Sequence, residues 1–217
     1  MPTRLWYPAE GPPVAHEAAF SGIFISHAVP DAPMAKTPER LPLVVLSHGS
    51  GGSSADLCWL AEYLAARGFL VAAVEHVGNR YNDDSPEGFV AVWRRPPDVS
   101  RMLDALLAEG RFGPRIAPER IGAAGFSAGG YAVLALAGAI YSPQLMAEFS
   151  RSHHNEKTDA LVKHVDFMSI PDLELASGSY RDERIRAVFA MSPAVAPGFE
   201  PESLAQIHVP VSLVVGA

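Results

Sequence analysis

Apolar runs and helical stripes alternate along the chain. Leu43, Val44, Val45 and Leu46 form a near-continuous apolar run ending at Ser47, and residues 70–74 (Leu70, Val71, Ala72, Ala73, Val74) form another. Such runs are expected of strands buried on both faces of a parallel sheet. Between them Leu57, Leu60, Ala61 and Leu64 recur at helical spacing over residues 54–67, with Gly68 just past the end. The stripe Val99, Met102, Leu103, Leu106 and Leu107 predicts a second helix, with Asp98 as its N-cap. Residues 120–124 then lead into a helix of small residues from Tyr131 onward, and the runs at 185–191 and 209–215 predict two further strands. Residues 4–7, halted by Pro8, and 20–26 read as short strands ahead of a proline-dotted loop from Pro30 to Pro42. Strands alternating with helices predict an α/β domain, a mostly parallel twisted sheet with helices on both faces. Residues 141–183 break the rhythm: they are polar and interrupted by Pro143 and Pro171. They are read as an insertion, helical in part, within one domain spanning 1–217.

The most informative junction is Gly125-Phe126-Ser127-Ala128-Gly129-Gly130, set between a strand and a helix. This is the context of a G-x-S-x-G nucleophile elbow. The turn puts its serine in a crowded backbone conformation, and the flanking glycines are a steric need, because a Cβ there would meet the neighbouring strand or helix. Ser127 is therefore the candidate nucleophile. The helix start leaves amides without partners, and that of Ala128 is aimed at an oxyanion forming on an attacked carbonyl.

A second glycine-rich stretch, Ser47-His48-Gly49-Ser50-Gly51-Gly52, follows the first long buried strand, where a second oxyanion donor is expected. Glycine lets the main chain approach a substrate carbonyl, so the Ser50 amide is paired with that of Ala128. A phosphate cradle is excluded by pattern: there is no G-x-G-x-x-G or G-x-x-x-x-G-K-[ST], and no lysine follows the glycines. His48 is read as bracing this loop beside Gly49. His76, at the end of the 70–74 strand, either lines the pocket or is a satisfied structural histidine. Arg94, Arg95 and Asp98 either form a buried charge pair near the site or cap and decorate a helix, and the second reading is preferred.

With 17 basic and 24 acidic residues the formal net charge is −7, which argues against nucleic acid or an anionic membrane as the main partner and favours a small molecule. The single cysteine, Cys58, makes no internal disulfide. No run approaches the ~20 apolar residues of a membrane span, and the N-terminus carries no signal-peptide pattern, so a cytoplasmic location is expected for the chain as written; a longer parent would be free to be exported. His153 and His154 with Glu156 and Asp159 form the one candidate metal cluster, and they are read as a solvated face because adjacent helical histidines diverge and H-E-x-x-H is absent. No metal or cofactor is expected.

Taken in order, these motifs resemble the α/β-hydrolase superfamily, and within it the bacterial dienelactone-hydrolase-like group related to platelet-activating-factor acetylhydrolases. The resemblance rests on Leu5-Trp6-Tyr7-Pro8-Ala9, the 46–52 loop, His76-Val77-Gly78-Asn79, Trp93-Arg94-Arg95-Pro96-Pro97-Asp98, the 125–130 elbow, residues 180–187 and residues 209–217. It implies an α/β-hydrolase fold and a serine esterase of esterase or lipase type, with Ser127 as nucleophile and the amides of Ser50 and Ala128 as oxyanion hole. True dienelactone hydrolases are expected to carry cysteine at the elbow, so Ser127 points to ester hydrolysis of the serine type. The superfamily order of serine, acid and histidine places the acid just after a strand like 211–215 and the histidine later still, beyond Ala217. The expectation is thus a C-terminally shortened hydrolase, without the last strand and helix and nearly inactive. His208 falls at the wrong end of the sheet to substitute. His153, His154 and His164, with Asp159, Asp166 or Asp172, remain as a lid-borne alternative. A non-catalytic binding module and an acyltransferase are the competing functions.

Overall fold

The computed structural model describes residues 2–12, 16–17, 25–153 and 169–216. The chain runs through β1 (Thr3–Trp6), β2 (His16–Glu17), β3 (Ile25–Ser26), β4 (Leu41–Ser47), α1 (Cys58–Ala65), β5 (Leu70–Val74), β6 (Asn79–Arg80) and β7 (Asp83–Asp84). It continues through α2 (Pro86–Val90), α3 (Arg95–Ala108), β8 (Ile116–Phe126), α4 (Ala128–Ala137), α5 (Pro143–Ser152), β9 (Ile185–Met191), α6 (Pro201–Ala205) and β10 (Val211–Val214). The main sheet has the order β1-β5-β4-β8-β9-β10. β1 is antiparallel to β5, and every other pair in it is parallel. β2 with β3 and β6 with β7 form small antiparallel ribbons outside it.

Side-chain alternation explains the layering. Leu43, Val45, Leu70, Ala72, Val74, Ile121 and Ala123 pack with α3 and α4 in one core, while Leu46, Val71, Ala73 and Ala124 pack with α1 and Trp6 in another. Successive strand residues point to opposite faces, so strands covered on both sides must be apolar throughout. β5 is buried at all five positions. Helices therefore lie on both faces, as the apolar runs imply.

The topology fixes where a ligand crevice forms. β4 and β8 are neighbours, with Ser47 opposite Gly125, yet β4 leads to α1 on one face and β8 to α4 on the other. Adjacent strands whose helices depart to opposite faces make a switch point, and the crevice opens at their carboxyl ends. Both glycine-rich loops leave from that point.

Several expectations shift. Asp98 is not an N-cap, because α3 begins at Arg95 with Pro96 and Pro97 in its first turn, where a missing N–H costs nothing. The helix expected over 54–67 is a 3₁₀ turn, Ser54–Leu57, capped by Ser53 and Asp56, and then α1. The polar loop after residue 79 contains the β6–β7 ribbon. Of the strand expected at 20–26, only Ile25 and Ser26 are described; residues 18–24 lie outside the described residues. In the 141–183 stretch, α5 is helical and residues 154–168 lie outside the description. β10 is an edge strand whose four side chains are all exposed. Among the described residues no helix is long and apolar enough to cross a membrane.

Candidate active site

Ser127 follows the last residue of β8 and precedes the first of α4, with φ 55° and ψ −116°. A non-glycine residue held there costs about 1–3 kcal/mol and persists only where its surroundings impose it. They do: Ser127 N–H donates to Met191 O at 2.9 Å, and Ser127 O accepts from Ala194 N–H at 2.9 Å and Tyr131 N–H at 3.1 Å. The elbow is thereby tied to β9 and to its own helix.

The glycines are required for the steric reason the motif implies. A Cβ on Gly125 would lie inside contact with Gly129 O and 3.0 Å from Gly130 N. One on Gly129 would meet the end of β4, 2.5 Å from the Ser47 carbonyl carbon and 2.8 Å from His48 O. One on Gly130 would stand 2.8 Å from Pro193 Cα. The two loops are therefore pressed together, and a Cβ on Gly49 would be 3.5 Å from Ser127 Cβ and 3.2 Å from the Phe126 ring. Ser127 is half-buried, and its hydroxyl makes no hydrogen bond among the described residues. The amides of Ser50 and Ala128 likewise have no acceptor there.

Beneath the 48–52 loop lies a buried polar network. Arg95, 2% exposed, donates from Nη1 to His48 O at 2.5 Å and from Nη2 to Gly49 O at 3.2 Å and Asn79 O at 3.3 Å. His48, 1% exposed, donates from Nδ1 to Gly49 O at 2.7 Å and accepts at Nε2 from the His76 N–H at 3.4 Å. His76, also 1% exposed, accepts at Nε2 from the Ser47 hydroxyl at 2.8 Å and donates from Nδ1 to Asp98 Oδ2 at 3.1 Å. The acceptor-only partners fix both tautomers, and each ring is satisfied while neutral. Asn79 Oδ1 accepts from Gly51 N–H at 2.9 Å, and its amide donates to Gly88 O at 2.7 Å. Glu75 accepts from Ser54 N–H at 2.8 Å.

Electrostatics agree with neutral rings. Burial and then the Arg95 charge pull the His48 pKa down from 6.5 to about 4. Burial, Arg95 and His48 hold His76 well below the ordinary histidine value. Burial lowers Arg95 to about 10, leaving it charged at neutral pH, and raises the Asp98 carboxyl.

His48 and Gly49 thus sit in the loop's support, and His76 supports it from one layer deeper without lining a pocket. The preferred reading of Arg94, Arg95 and Asp98 as helix decoration is corrected toward its alternative, charge buried near the site. Arg95 is a buried cation holding three carbonyls, Asp98 orients His76, and Arg94 makes a paired contact to Asp172 (2.7 and 2.5 Å) and one to Glu87 (2.6 Å). The signal for Arg95 lay in the two prolines after it, which place a cation at the positive end of a helix, an unfavourable position without a specific reason.

Among the described residues no histidine ring hydrogen-bonds Ser127. His208 lies before β10, whose register pairs Val211 with Val188, so it stands at the opposite end of the sheet from Met191 and Ser127. His153 is exposed at the end of α5, stacked on Phe149, and Asp172 is engaged by Arg94. His154, Glu156, Asp159, His164 and Asp166 lie outside the described residues. No group of three metal-ligating side chains occurs among the described residues.

The chain is similar to two groups of known proteins. The family described as platelet-activating factor acetylhydrolase, isoform II, matches residues 16–82, the stretch that holds the 48–52 loop and His76. No curated protein matches the chain at significance. Among solved structures, a ferulic acid esterase from Streptomyces cinnamoneus superposes with a TM-score of 0.60 at 25% identity, over 97% of this chain and 56% of that one. The chain therefore spans about half the length of that esterase. Its fold is the α/β-hydrolase fold.

Proposed function

We propose that this chain carries the nucleophile and oxyanion hole of a serine carboxylic-ester hydrolase working through an acyl-enzyme. The observation that carries the reading is Ser127: a strained, half-buried serine at the switch point, with a helix start behind it and a glycine loop against its Cβ. Both comparisons, to an acetylhydrolase family and to an esterase, support ester chemistry. The Ser127 hydroxyl attacks the ester carbonyl, forming the C–O bond as the carbonyl π pair moves onto oxygen. The amides of Ser50 and Ala128 stabilise that charge, the alcohol leaves, and water releases the acid. The hydroxyl's proton passes to a general base and from it to the departing alkoxide, which leaves as the alcohol. The charge of −7 suits a small-molecule ester.

The test is p-nitrophenyl acetate hydrolysis together with fluorophosphonate labelling, for the chain and for Ser127→Ala. Hydrolysis and labelling, both lost in the variant, are expected. Hydrolysis and labelling equal in the two proteins would refute the reading.

A further inference from the structure

The carbonyl of Gly49 accepts three donors: His48 Nδ1–H at 2.7 Å, Arg95 Nη2–H at 3.2 Å and Gly52 N–H at 3.2 Å. One serves a tight turn. The other two come from buried side chains on the side of the loop away from solvent. In a trans peptide the C=O and the following N–H point in opposite directions. A Gly49 oxygen held toward Arg95 therefore turns the Ser50 N–H away from the buried network, and Gly49 itself lies beside the elbow, where a Cβ on it would stand 3.5 Å from Ser127 Cβ. Glycine at 49 adds a need for such a hold, because its backbone resists a peptide flip less than any other residue's. The preceding carbonyl, His48 O, is held by Arg95 as well.

We propose that Arg95 and His48 are positioning residues that lock the Gly49–Ser50 peptide with its N–H facing the Ser127 hydroxyl, so that the oxyanion hole exists before substrate binds. The inference rests on the esterase reading for its catalytic consequence and on the loop geometry for the lock itself. His76 and Asp98 act one layer deeper, holding the His48 ring through the His76 N–H.

The experiment compares His48→Leu, His48→Asn and Arg95→Lys with the parent chain, each first checked for a cooperative thermal transition. His48→Asn keeps a donor near the Nδ1 position and His48→Leu removes it. Arg95→Lys keeps the charge but loses the fork that reaches several carbonyls. Two readouts are taken: kcat and KM for the Ser127-dependent hydrolysis of p-nitrophenyl acetate, and the Ser50 amide resonance in a 15N-labelled sample. Loss of one oxyanion donor costs ~100-fold or more in kcat. The expected result is a kcat fall of at least about tenfold in His48→Leu with KM little changed, substantial recovery in His48→Asn, and a displaced or doubled Ser50 resonance only where the lock is broken. A folded His48→Leu with parental kcat and an unmoved Ser50 resonance would overturn the proposal. If no protein shows Ser127-dependent turnover while the Ser50 resonance still responds as described, the lock stands and the esterase reading falls. Should His48→Leu fail to fold, Arg95→Lys is judged by the same two readouts.

Discussion

Gly129→Ala probes the contact between the two loops most directly. The added methyl would lie 2.5 Å from the Ser47 carbonyl carbon and 2.8 Å from His48 O. Carbon atoms rest at ~3.5–4.0 Å, so the start of α4 and the end of β4 would have to separate by about 1 Å. Neither partner is a flexible side chain tip; both are backbone, in a strand hydrogen-bonded to neighbours on each side. Overpacking of this kind typically costs 1–3 kcal/mol, occasionally more, and the rigidity of both partners places Gly129→Ala near about 3 kcal/mol. The separation also moves the Ala128 amide relative to that of Ser50, and a misplacement of about 1 Å costs on the order of 100-fold in rate. Gly122→Ala is the control: it lies in the same strand as Gly125, and its methyl would sit at an ordinary 3.5 Å from Ala187 O. It should change stability by less than ~1 kcal/mol and with either sign. Chemical denaturation gives the stabilities, and fluorophosphonate labelling gives the reactivity of Ser127. If Gly129→Ala matched Gly122→Ala in both, the claim that the glycine is there to let strand and helix touch would be wrong.

Stability should fall on mild acidification. His48 has a folded pKa of about 4 against an ordinary 6.5, so the unfolded chain binds more protons between those values. Stability from this group is complete above pH 6.5 and is lost as pH drops toward 4, by about 3 kcal/mol at ~1.4 kcal/mol per pH unit. His76 adds in the same direction. The raised Asp98 carboxyl opposes both at the acid end, while Arg95, Glu75 and Asp56 are the other charges facing His48. His48→Asn should flatten the curve measured by urea denaturation at a series of pH values, and an equally steep curve would show that the fall arises elsewhere. Arg94→Ala removes the ties to Asp172 and Glu87, partly exposed pairs worth at most ~1 kcal/mol. It should leave the global melt nearly unchanged and speed limited proteolysis near residue 172, and unchanged proteolysis would count against the tie. On β10, Leu213 and Val214 are 59% and 52% exposed on what is an edge strand among the described residues. Leu213→Lys should reduce concentration-dependent association in sedimentation velocity, and identical association in both proteins would refute that role.

The parts legible in the sequence are those set by local sterics or by burial. Ser127 was readable because glycine at 125 and 129 answers a close approach that no other residue allows. The runs at 43–47, 70–74 and 185–191 were readable because strands covered on both faces tolerate little else. Bracing of the 48–52 loop by His48 was readable, but its deeper partners were not, since those bonds join residues distant in sequence: Arg95 to His48 spans 47 positions and His76 to Asp98 spans 22. The prolines after Arg95 mark a cation at the positive end of a helix, but they do not say which carbonyls it holds. Asp98 misled for a related reason. Its place before an apolar stripe matches a cap, but the prolines preceding it had already opened the helix.

Ser47, His76 and Asp98 stand in the same hydrogen-bonded row that hydrolases use to activate a nucleophile, yet the hydroxyl and the imidazole in it are buried. A template search scoring interatomic spacing alone would select the buried Ser47 rather than the half-buried Ser127. Reagent access, rather than the presence of a serine, an imidazole and a carboxylate in sequence, separates a reactive alcohol from a scaffold that merely borrows its wiring.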